Sequence, residues 1–91
     1  MARKKYSNNY WYFLEIEHWS IEDVGLWISE VCKRNQVTDY RNAFISKGVN
    51  GEMLLKLTAK ELEEFLEIKA LADVKALENN INALRTAGTF L

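Results

Sequence analysis

Between Trp19 and Leu57 the chain carries a helix-start signal, an apolar stripe and a Gly48-Val49-Asn50-Gly51 reversal, an order that suits short helices folded back on one another. Ser20 and Asp23 stand three apart and make a capping box with Asp in place of Glu. Ile21, Val24, Trp27, Ile28 and Val31 then recur at helical spacing and form one stripe. Tyr40 and Phe44 are four apart, one turn of a second helix. Gly48 suits the left-handed conformation that ends such a helix, and Asn50 suits the cap of the next. The chain has no proline, so nothing forces a break inside any of these segments.

The same signals place five helices. The first is expected over about Ser20 to Arg34, with Lys33 and Arg34 favourable at its C-terminal dipole. Asn35-Gln36-Val37 links it to a second, about Asp39 to Lys47, with Thr38 as its cap and Asp39 in its first turn. A third, short, covers about Gly51 to Leu55. Thr58 and Glu61 form another capping box and open a fourth through about Leu66, with Leu62 and Phe65 pointing inward. In the fifth, about Leu71 to Thr86, the residues Leu71, Val74, Leu77, Ile81 and Leu84 step by three or four and make one apolar face. Gly88 is the expected stop.

Ninety-one residues suffice for one domain and not two. A domain of that size buries only roughly 60% of its unfolded surface. Three Trp, four Phe and four Tyr give the small core large units to bury. A net charge of −1 removes any general attraction to nucleic acid or anionic lipid. The single cysteine, Cys32, excludes an internal disulfide. Beside the Val31 stripe it reads as a small buried apolar residue, and its use suits a cytoplasmic or nuclear setting. No apolar run approaches the ~20 residues of a membrane span.

Residues 1–17 read as an arm, residues 18–86 as the helical domain and residues 87–91 as a tail. Arg3, Lys4 and Lys5 make a solvated basic tip. Tyr10-Trp11-Tyr12-Phe13-Leu14 then places five apolar or aromatic residues in a row, which water does not leave exposed without consequence. The run folds back on the bundle, docks on another chain or forms an edge strand. Tyr10, Trp11 and Phe13 are its candidate contact residues.

No catalytic constellation is present, and neither a cofactor nor a metal is expected. His18 is the one histidine and reads as structural beside Trp19. There is no Cys/His set for zinc, no glycine-rich phosphate loop and no Gly-x-Ser-x-Gly elbow. Glu61, Glu63, Glu64 and Glu67 are dense enough to suggest paired carboxylates for acid/base work. On a short exposed helix they suit a solvated face or a docking surface better. A small bundle filled with its own side chains leaves little room for a substrate pocket.

Trp19-Ser20-Ile21-Glu22-Asp23-Val24, Tyr40 with Phe44, Asn50-Gly51 and Leu54-Leu55-Lys56-Leu57-Thr58 together resemble the sterile alpha motif (SAM) domain. The likeness covers about residues 18–86. It implies an all-α fold, a compact five-helix bundle with a long C-terminal helix, here preceded by the aromatic arm. It also implies a protein-binding module in place of an enzyme, one that associates with itself or with another SAM domain. Such modules usually sit in larger signalling, scaffold or transcriptional proteins.

The resemblance further implies two unlike surfaces. A mid-loop surface would comprise Val49, Asn50, Glu52, Glu61 and Glu64. An end-helix surface at the start of the fifth helix would comprise Lys69, Leu71 and Lys75. Joining one to the other is a heterologous contact that yields rings or open filaments. Here the chain departs from the family pattern. Glu67 stands where Gly is usual in Leu-Gly-Ile-Lys, and Leu71-Ala72-Asp73 replaces the segment that carries a His-Arg pair. Some SAM domains bind RNA through a basic cluster at the same place. Lys69 and Lys75 are only two cations, with Glu67 and Asp73 close by, so this is the lesser reading. Membrane association through the arm is weaker still, because Glu15 and Glu17 close its aromatic run.

Overall fold

Ser20 turns the chain into its first helix by reciprocal hydrogen bonds. Its Oγ accepts from the Asp23 N–H at 3.0 Å, and Asp23 Oδ2 accepts from the Ser20 N–H at 3.0 Å. The computed structural model describes the backbone of residues 16–89 and the side chains of residues 16–86. Helix α1 runs Ile21–Asn35 and buries Val24, Trp27, Ile28, Val31 and Cys32. It ends on Gln36 in the left-handed region (φ 58°), where the Val37 N–H donates to the Cys32 carbonyl at 3.0 Å and the Gln36 N–H to Lys33 at 3.2 Å. That pair of bonds closes a Schellman turn.

The second helix, α2, is Arg41–Ser46, shorter than its expected span at both ends. Thr38 does not cap it. Tyr40 occupies the cap position without a side-chain capping bond. Asp39 Oδ1 accepts from the Arg41 N–H instead, and Asp39 Oδ2 accepts from the Ser29 hydroxyl of α1. Phe44 is buried, and Gly48 (φ 67°) reverses the chain in the left-handed conformation.

Helix α3, Gly51–Lys56, starts where Asn50 Oδ1 accepts from the Met53 N–H at 3.0 Å. A single 3-10 turn, Ile16–His18, lies against it. The Gly51 N–H donates to the Trp19 carbonyl at 2.9 Å. A Cβ on Gly51 would collide with the Ile16 carbonyl oxygen and come 2.9 Å from Trp19 Cβ, so only glycine admits this approach.

Helix α4 is Ala59–Glu64, and its Thr58–Glu61 capping box forms as expected. It stops earlier than about Leu66. The Phe65 and Leu66 N–H groups both donate to the Glu61 carbonyl, and Glu67 takes a left-handed φ of 59°. That turn buries Leu66 and Ile68 and leaves Phe65 40% exposed, correcting its expected inward orientation.

The fifth helix, α5, runs Leu71–Thr89, through Gly88. Val74, Leu77, Ile81 and Leu84 face the core, whereas Leu71 overhangs the bundle at 62% exposure. Two long-range tethers fix α5. Near its start, the Tyr40 hydroxyl donates to Asp73 Oδ2 at 2.5 Å. Near its end, Arg85 Nε donates to the Leu55 carbonyl at 2.6 Å and a guanidinium nitrogen donates to the Leu57 carbonyl. The described residues contain five α-helices and no strand.

Three expectations follow for stability. Gly51→Ala forces the Ile16–Trp19 backbone off α3 and costs about 2 kcal/mol or more, a drop in melting temperature of roughly 10 °C by calorimetry. Glu67→Gly removes a left-handed non-glycine residue, and after the chain-entropy cost of glycine it gains about 0.5–1 kcal/mol, a rise of a few degrees. Burial, then the bond to Asp73, pushes the Tyr40 hydroxyl above its ordinary value of 10.0. Its contribution is therefore whole below that unfolded value and is lost as pH rises through the higher folded one. Tyr40→Phe costs about 1 kcal/mol at neutral pH. The penalty shrinks toward zero in strong base, as urea titrations of both proteins at a series of pH values would read.

Candidate protein-interaction surfaces

The residues expected on the mid-loop surface divide when placed in the fold. Val49 is fully buried, drawn inward by the Gly48 reversal and by its N–H bond to the Phe44 carbonyl at 3.0 Å. Its side chain belongs to the core, so it is withdrawn as a contact residue. Asn50 is half-buried, and its Oδ1 is engaged in capping α3. Glu52 is exposed, with Oε2 at 3.8 Å from Lys56 Nζ one turn on. An open pair of that kind contributes little and is screened by salt.

Glu61 and Glu64 stand on the exposed side of α4. They line one shallow depression of about 530 Å³ together with Lys56, Thr58, Lys60 and Phe65. Glu52 lines a different depression, with Glu17, His18, Leu55 and Lys56. The expected patch is thus two shallow surfaces that meet at Lys56. His18, expected to be structural, is at the surface with Nε2 3.6 Å from Glu17 Oε2.

Phe65 is the residue that sequence reasoning missed here. Lys47 Nζ, just past the end of α2, sits 5.5 Å from the centre of its ring. Spacing alone pairs Phe65 with Leu62 on an inward face. The one signal against that pairing is Glu67 at a position where glycine is usual, since a glycine there marks a left-handed turn and a helix that has already ended.

At the other surface, Lys69, Leu71 and Lys75 are all exposed. Ala70 precedes α5 and has no side chain with which to cap it. Its carbonyl accepts from the Asp73 and Val74 N–H groups at 3.0 and 3.1 Å. The first turn therefore presents backbone N–H groups and the positive end of the helix dipole beside two lysines. Asp73, which offsets those lysines in the bare sequence, has its carboxylate turned to Tyr40. Among the described residues neither Lys69 nor Lys75 has an ion-pair partner, and neither do Glu63, Glu64 and Glu67.

Tyr10, Trp11 and Phe13 lie outside the described residues. Among those described, no group of His, Cys, Asp and Glu side chains is placed to hold a metal. No helix is long and apolar enough to cross a membrane. Cys32 is buried in the core, and burial raises its thiol above the ordinary value. That is the wrong direction for a reactive thiolate at neutral pH.

Comparison with curated proteins and with solved structures returned no match. A family model described as SAM domain (sterile alpha motif) matches residues 17–85, well over half of the chain. Its bounds run from the 3-10 turn to Arg85, which takes in the three capped helix starts, the buried stripe and both tethers of α5. This chain belongs to the SAM domain family, whose members are generally protein-interaction modules.

Proposed function

We propose that this chain is a non-catalytic interaction module that associates with itself or with another SAM domain through its mid-loop and end-helix surfaces. In that role it acts as an adaptor or scaffold in signalling or regulation, in the cytoplasm or nucleus. The observation that supports the reading most is the separation of unpaired charge. Glu64 and its acidic neighbours crowd the end of α4, and Lys69 and Lys75 flank an uncapped α5 N-terminus. With Val49 removed, the acidic side comprises Asn50, Glu52, Glu61 and Glu64, and the basic side Lys69, Leu71 and Lys75.

Acidic side chains meeting a helix N-terminus attract each other, orient the encounter and discriminate against wrong partners. Because both patches lie on one chain, a copy joined by one patch keeps the other free. RNA binding draws less support. Phosphate affinity grows with the number of cationic contacts, and the α5 start offers only two lysines, Lys69 and Lys75.

Sedimentation across a concentration series at low and high salt tests the proposal. Average mass should climb with concentration and fall with salt. Reversing Glu64 to Lys should weaken association about tenfold or more, ~1.4 kcal/mol, with unchanged melting, whereas adding Glu61→Lys also breaks the α4 capping box and lowers the melting temperature by a few degrees. A strict monomer at every concentration would move the reading to a heterotypic SAM partner, and a low-salt gel shift with RNA would favour the nucleic-acid alternative.

A further inference from the structure

Four large apolar side chains stand exposed among the described residues: Leu26, Ile45, Phe65 and Leu71. Ile45 lies over Gly25, where even a methyl group would sit 3.1 Å from its Cδ1, so much of its apolar surface already faces α1. Leu26 stands on α1 and lines neither depression described above. Phe65 and Leu71 differ from these two. Phe65 lies among carboxylates and lysines, and Leu71 between two lysines in the chain.

Phe65 shares its depression with Glu61 and Glu64, and Glu63 and Glu67 flank it in the chain. Cations are present too, since Lys56 and Lys60 line the same depression and Lys47 stands over the ring. Lys56 stands 3.8 Å from Glu52 in an open pair, Lys47 lies over the ring, and Lys60 has no described ion-pair partner. The carboxylates of Glu63, Glu64 and Glu67 are left without a described partner. Leu71 projects from the first turn of α5 between Lys69 and Lys75, with Lys75 one turn away on the same side.

Exposed ion pairs each add little to affinity. A well-packed aromatic at the centre of a contact carries far more, provided that surrounding polar groups keep water off it. The half-open aromatic lies beside Glu61 and Glu64, with Lys56 and Lys60 in the same depression, and the open leucine lies between Lys69 and Lys75 in the chain. We infer that Leu71 of a second copy of this chain seats against Phe65, with the second copy's Lys69 and Lys75 facing the Glu61–Glu67 carboxylates. This rests on the self-association proposed above and names its apolar centre. Phe65 is then the anchor of the acidic side, and Lys47 holds its ring in place from one face.

Two single variants test the pairing, Phe65→Ser and Leu71→Ser. Both positions are exposed, so melting temperatures should stay within a few degrees of the parent. Each variant alone should associate at least tenfold more weakly by sedimentation equilibrium. A one-to-one mixture should recover the parent affinity for a single contact and stop at pairs, because one copy supplies Phe65 and the other Leu71. Leu26→Ser, an equally simple change at a residue that lines neither depression, should associate as the parent does. Undiminished association of the Phe65 variant, or a mixture no larger than its separate components, overturns the pairing while self-association of the parent stands. A monomeric parent overturns both.

Discussion

Helices α2, α3 and α4 are six residues each, fewer than two turns. Isolated helices need roughly 12–15 residues to be even marginal in water. None of the three holds its shape by propensity, so each depends on a start signal and on what it leans against. Asn50 and the Thr58–Glu61 pair satisfy the first donors of α3 and α4. Packing does the rest. Phe44, Leu54 and Leu62 contribute one fully buried side chain from each short helix to a core walled by α1 and α5. Gly51 is the tightest point of this arrangement, because there the chain leading into α1 touches the backbone of α3.

What is local in cause was legible in the sequence. The Ser20–Asp23 and Thr58–Glu61 boxes, the Asn50 cap and the left-handed Gly48 each need only three or four neighbouring residues, and the structure contains all of them. The buried stripes of α1 and α5 also follow from periodicity alone. The misses arise where a distant partner or a helix end decides. Asp39 serves the start of α2 in place of Thr38 because it also meets Ser29, ten residues away. Leu71 fits the α5 stripe by spacing, but α5 begins beyond the edge of the bundle, so its first position has nothing to face. The tethers Tyr40–Asp73 and Arg85–Leu55 span 33 and 30 residues and leave no local mark.

The candidate surfaces were partly legible for the same reason. Charge is visible in sequence, and the glutamates of α4 and the lysines around the α5 start are exposed. Orientation is not. Val49 sits beside Asn50 in the reversal, yet a single left-handed residue before it turns the side chain into the core. Asp73 looks like a charge that cancels the lysines, until Tyr40 draws its carboxylate toward α2. In both cases a backbone or side-chain bond made elsewhere decides what a partner would meet.

Glu67 links stability to the surface. A left-handed backbone is easy for glycine and strained for glutamate. That strained turn ends α4 at Glu64 and sends Leu66 and Ile68 inward. Phe65 itself keeps helical dihedrals and its bond to the Glu61 carbonyl, and Leu66, four residues after Leu62, is the side chain that enters the core. Phe65 is left partly open beside a run of carboxylates. Glycine there would give the same turn with less strain, but with one carboxylate fewer beside Phe65. The glutamate thus gives up stability inside the domain and adds negative charge outside it. That exchange suits a chain whose exterior is its working part.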